Sequence, residues 1–93
     1  MASTTANVAT PNASRYLQQL CKHWAHKLEV TCTPEEGTVR FAQAVAMMRA
    51  GPEALAVTIE AEDSAILEQM KGVVSSHLDR FAFKEAPLGF DWS

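Results

Sequence analysis

The sequence predicts an α+β two-layer sandwich, with an antiparallel sheet and two helices on one of its faces. Two stretches, Arg15–Lys27 and Asp63–Phe81, repeat apolar residues at helical spacing. Four short stretches between them have the alternation or short apolar runs of strands, and they are joined by turn-length connections. Connections that short leave no room for crossover helices, so successive strands pair as an antiparallel meander. Each helix carries one apolar stripe, and both stripes find cover on the same face of the sheet. The other face is left open or meets a partner.

Met1–Thr5 are small and polar and read as a flexible tail, which leaves 6–93 as a single domain. Ala6–Thr10 reads as a short edge strand, with Val8 its one strong strand former. Thr10 is placed to cap the first helix, with Pro11 at the first helical position, where its missing N–H costs nothing. At about 100° per residue, Tyr16, Leu17, Leu20, Cys21, Trp24 and Leu28 share one arc. Gln18, Gln19, Lys22 and His26 lie opposite, His23 is at the border, and the helix ends near Lys27.

Leu28–Thr33 alternates as a half-buried strand with Leu28, Val30 and Cys32 inward. Pro34-Glu35-Glu36-Gly37 is a turn. Thr38–Ala42 follows with Val39 and Phe41 inward and Arg40 outward. A tight turn at Gln43–Ala44 leads into Val45–Arg49, with Ala46 and Met48 outward. Ala50-Gly51-Pro52-Glu53 breaks the chain again. Leu55–Ala61 is a strand with Leu55, Val57, Ile59 and Ala61 on one face. Asp63 caps the second helix. Its stripe is Ile66, Leu67, Met70, Val73, Val74, His77, Leu78 and Phe81. After a break at Pro87, Leu88–Trp92 alternates once more and predicts a C-terminal strand.

Net charge is −3, and the 8 Lys and Arg residues are scattered. Phosphate neutralisation needs concentrated cations, so no nucleic acid partner is expected. No apolar run reaches ~18 residues, so no membrane span is expected. The N-terminus lacks the positive start and apolar centre of a secretory signal. A cytoplasmic setting follows, in which the two cysteines are reduced thiols and not a disulfide.

Cys21, His23, His26 and His77 are the residues with metal-ligating chemistry. Cys21 and His23 lie about 200° apart on an ideal helix and cannot share an ion. His23 and His26 are neighbours along one side. With His77 they make a three-ligand set, provided the two helices pack side by side. Cys21 sits on the packing arc while Lys22 and His23 point elsewhere, so it reads as a buried packing thiol and not a reactive one. His77 lies in the middle of an apolar stripe. It reads as a core polar residue whose ring needs partners from Tyr16, His23 or the last strand.

No Ser-His-Asp grouping, Gly-rich phosphate loop or paired-carboxylate motif is present. The chain therefore reads as a binding module more than an enzyme, with no catalytic residue and no cofactor expected. The expected contact is the open sheet face around Thr31, Arg40, Ala46 and Met48. An apolar, flexible centre with a mixed-charge rim suits a protein partner or a homodimer.

Ala13-Ser14-Arg15-Tyr16-Leu17-Gln18-Gln19-Leu20-Cys21-Lys22-His23-Trp24-Ala25-His26-Lys27, His77-Leu78-Asp79-Arg80-Phe81-Ala82-Phe83-Lys84-Glu85 and the final Trp92 resemble a family of small bacterial proteins. It is catalogued as domain of unknown function 2218. The resemblance implies a fold like that of the TATA-binding protein and of the C-terminal domain of phosphohexomutases. It implies no activity. Members occur beside or fused to siderophore-interacting flavoproteins, which implies the alternative of a metal- or iron-related protein using His23, His26 and His77.

Overall fold

A single five-stranded antiparallel sheet, in the order β1-β5-β4-β3-β2, organises the chain. The structure is a computed structural model that describes residues 2–82, 88–90 and 92. The elements are β1 (Ala2–Ala9), α1 (Ala13–Trp24), β2 (Glu29–Cys32), β3 (Glu36–Arg40), β4 (Ala44–Ala50), β5 (Ala54–Ala61) and α2 (Ser64–Phe81). Both helices pack on one face: α1 over β2 to β5, and α2 over β1, β4 and β5, with the two helices in contact. This is the predicted α+β sandwich, with the elements from β1 to α2 in the predicted order.

The stripe of α1 buries Ala13, Tyr16, Leu17, Leu20, Cys21 and Trp24. Its apolar spacing runs out after Trp24, because Ala25, His26 and Lys27 are exposed. The Trp24 carbonyl accepts from both the Lys27 and Leu28 amides, and the chain turns into β2. At the other end Asn12 holds the cap position, and Thr10 Oγ1 accepts from the Asn12 amide at 3.1 Å. Thr10 thus braces the entry to the helix and does not cap it. In α2 the cap is the predicted one, with Asp63 Oδ1 accepting from the Ile66 amide at 2.9 Å. Leu67, Met70, Val74 and Leu78 form the buried centre of that stripe.

The sheet contributes Val8, Val39, Ala46, Met48, Leu55, Val57 and Ile59 to the same core. Several boundaries differ from the sequence reading. β1 begins at Ala2, so Ala2–Thr5 are an edge strand paired with Thr58–Ala61 and not a tail. These small residues form a strand because β5 offers them an edge, despite weak propensity of their own. Glu36 and Gly37 belong to β3, since Thr33 Oγ1 closes the turn by accepting from the Glu35 and Glu36 amides. The β3–β4 turn lies one residue earlier than expected, at Ala42–Gln43, closed by the Phe41 amide on the Ala44 carbonyl at 2.8 Å.

The expected C-terminal strand does not form at Leu88, Gly89, Phe90 or Trp92; Pro87 and Asp91 lie outside the described residues. Leu88 is instead held to α2, where its amide donates to Asp79 Oδ1 at 2.9 Å.

Gly72 is exposed in the interior of α2, and a Cβ there would meet nothing within 4 Å. Gly72→Ala is therefore expected to stabilise the protein by about 0.5–1 kcal/mol, through lost backbone freedom in the unfolded chain. A higher denaturant midpoint with unchanged slope checks it.

Candidate interaction surface

Side chains alternate across a strand, and direct antiparallel partners share a face. The register therefore assigns the uncovered face residue by residue. Its middle row is Thr5, Thr58, Met47, Thr38 and Thr31, one from each strand, with Met47 on the central strand β4. Thr5 Oγ1 and Thr58 Oγ1 are hydrogen-bonded at 3.2 Å. On one side runs the row Ser3, Glu60, Val45, Arg40 and Glu29. On the other runs Asn7, Ala56, Arg49 and Glu36. Arg49 Nη2 donates to Glu36 Oε1 at 2.7 Å, an exposed pair that raises the Arg49 pKa and adds little to stability. A shallow depression of about 420 Å3 lies on this face between Thr38, Met47, Arg49 and Thr58.

Thr31 and Arg40 sit on this face and are exposed, as expected. Ala46 and Met48 do not: they are 0% and 3% exposed and point into the core. The reason is pairing. Ala46 is the direct partner of Val39, and Met48 of Gly37, both on the helix side. The outward methionine is Met47. The sequence contained this signal, because a two-residue turn at either 42–43 or 43–44 puts Ala46 on the face of Val39. The register with β3, and not the strand's own residues, decides the face.

The histidines divide. His23 and His77 come together from the two helices, with ring centroids 5.3 Å apart. Phe81 packs edge-on to His23 at 5.8 Å, and Trp24 lies 4.9 Å from His77. His77 is half-buried at the rim, not in the core. Its partner is a backbone group of its own helix: Nδ1 lies 2.6 Å from the Val73 carbonyl. A carbonyl only accepts, so Nδ1 carries the proton and only Nε2 remains for another partner. His26 is exposed and does not complete a third position. Among the described residues no three His, Cys, Asp or Glu side chains lie together. A pair falls short of the three or four protein ligands of a zinc site, so the metal alternative has no support in this arrangement.

Cys21 is buried, as expected, and its thiol pKa is pushed up to about 12, first by burial and then by the neighbouring Cys32 thiol. Cys32 faces the helix layer but is exposed, because β2 is an edge strand and Cys32 is its last residue. The sequence places Cys21 and Cys32 on facing surfaces, and the fold brings them beside each other. A surface depression of about 610 Å3 runs along the outer side of α1 past Arg15, Gln18 and Lys22. No helix among the described residues is long and apolar enough to cross a membrane.

No curated protein matches this chain. Among solved structures it is similar to the NMR structure of PA4090 from Pseudomonas aeruginosa, at 36% identity and a TM-score of 0.85, covering 100% of this chain and 96% of that one. The family pattern described as "Uncharacterized protein conserved in bacteria (DUF2218)" matches residues 5–93. That span takes in nearly every element of the sandwich, and the chain belongs to this uncharacterised bacterial family.

Proposed function

We propose that this protein is a binding module whose uncovered sheet face docks protein, and that the occupant is a second copy of the chain. One observation carries the reading: the face is chemically self-complementary about its central strand. Sheets that pack face to face keep their strands within about 30° of one another. A two-fold axis along β4 then sets Met47 on Met47 of the second copy and Val45 on Val45. It sets Thr58 against Thr38, Thr5 against Thr31, and Glu60 against Arg40. Arg49 meets its own copy already paired with Glu36.

The face mixes Arg40 and Arg49 with Glu29, Glu36 and Glu60, a balance that favours protein over the phosphates of nucleic acid. The two free thiols favour a cytoplasmic setting.

Sedimentation equilibrium tests the proposal. The wild type is expected to dimerise. Met47→Glu places a carboxylate on its own symmetry mate and is expected to weaken the dimer about tenfold or more, ~1.4 kcal/mol. Arg40→Glu and Glu60→Arg are each expected to weaken it, and the double variant to restore it. A wild type that stays monomeric at millimolar concentration sinks the proposal. So does a charge-swapped pair that fails to recover.

A further inference from the structure

We infer that Cys21 and Cys32 form a peroxide-responsive dithiol, which closes to an intramolecular disulfide between α1 and the end of β2. The geometry begins at Gly37. A Cβ on Gly37 would lie 2.6 Å from Cys21 Sγ, so the sulfur occupies space that any other residue at 37 would fill. Gly37 is also the direct cross-strand partner of Cys32. Direct partners share a face, with Cβ positions about 4.5–5.5 Å apart. The next pair outward, Thr33 with Glu36, is hydrogen-bonded at 2.7 Å, which makes Cys32 and Gly37 a non-hydrogen-bonded pair, the kind with the closer side chains. The glycine thus opens a gap in the sheet surface. Cys21 enters it from the helix above, and Cys32 borders it from the adjacent strand. Cys32 Sγ donates to the Thr33 carbonyl at 3.5 Å, and the two thiols are near enough to interact electrostatically.

Their exposures differ in a useful way. Cys32 is exposed and meets solutes, whereas Cys21 is 2% exposed and does not. The Cys32 thiolate attacks one oxygen of the peroxide. The S–O bond forms, the O–O bond breaks, and the other oxygen leaves as hydroxide or alkoxide, which becomes water or alcohol by taking up the proton that the Cys32 thiol released on ionising. Cys32 is now a sulfenic acid, oxidised by two electrons, and the peroxide has been reduced by two. Cys21 Sγ then attacks the Cys32 sulfur. The S–S bond forms, the S–O bond breaks, and the leaving hydroxide takes the Cys21 proton and departs as water. A thiol reductant reverses the product by exchange. Closure joins the last turn of α1 to the β2–β3 hairpin, whose turn is already tied to the first turn of α1 by Ser14 Oγ donating to the Pro34 carbonyl at 2.5 Å.

The experiment treats the reduced full chain with hydrogen peroxide under native conditions. Thiol titration is expected to fall from two per chain to none, and Tm to rise by several degrees. After trypsin, peptide Tyr16–Lys22 is expected to be joined to Leu28–Arg40. Dithiothreitol should return both thiols and the original Tm. Cys32→Ser changes an exposed side chain and is expected to fold normally, with no rise in Tm under peroxide. Three outcomes overturn the inference: oxygen added at Cys32 while the Cys21 thiol survives, a disulfide linking two chains, or two thiols per chain that remain free.

Discussion

Leu17→Ala is expected to destabilise the protein by about 2–5 kcal/mol. Leu17 is 0% exposed and lies in the stripe by which α1 covers the sheet. Its Cδ2 is 3.3 Å from the position a Cβ on Gly37 would take, so it packs almost onto the backbone of β3. Backbone in a sheet does not collapse into the gap a shortened side chain leaves, and the cavity term adds to the lost transfer energy. A domain of this size has roughly 5–15 kcal/mol in all. The variant should therefore show a large drop in urea midpoint, while Lys22→Ala, on the exposed side of α1, stays within about 0.5 kcal/mol of wild type. A loss under about 1 kcal/mol for Leu17→Ala would show that the layer closes over the gap, against the rigid contact described.

Gly37→Ala is the second large effect. The backbone at Gly37 is not left-handed, so the penalty is steric alone. The added methyl would sit 2.6 Å from Cys21 Sγ, a sulfur one bond from its own Cβ on a buried helix face. It cannot swing aside as a long side chain would, and overpacking of this kind costs about 1–3 kcal/mol. Cys21→Ala removes the obstructing atom. The double variant Gly37→Ala with Cys21→Ala is expected to lose less than the sum of the two single losses, because the new methyl fills the space the sulfur vacates. Denaturant titration of the four proteins measures the coupling. Strict additivity would mean that Cys21 and Gly37 do not compete for that space.

Periodicity makes both helices, and the order of the elements from β1 to α2, legible in the sequence. The stripe of α1 needed no tertiary information, because its bulky residues recur at one spacing and its polar ones at another. The run Val45-Ala46-Met47-Met48 is different. Four apolar residues in a row offer no alternation to read, and an outward assignment of Ala46 and Met48 has nothing within the run to correct it. Their positions follow from the partner strand, since Val39 fixes the side on which Ala46 lies. Likewise Ala2–Thr5 carry no strong strand signal and form β1 only because the eight residues of β5 offer a long edge. The pairing of Cys21 with Cys32 depends on Gly37, and a glycine in a sequence does not announce which neighbour will use the space it leaves. At His77 the stripe position was right. The depth was not, because the end of the helix lies at the rim, where a ring can bond its own backbone.

The pairing of β1 with β5 also sets the order of assembly. β2 to β5 are consecutive hairpins whose contacts are local, whereas β1 reaches a strand at the far end of the meander. Closing so long a loop is entropically slow, and local hairpins form well before it. Until β1 arrives, β5 is a bare edge with unpaired amides and carbonyls, a template for any extended segment. The first strand of a neighbouring chain fits it as well as the chain's own. Refolding is therefore a race between a slow intramolecular closure and a bimolecular exchange of strands, and dilution favours the closure.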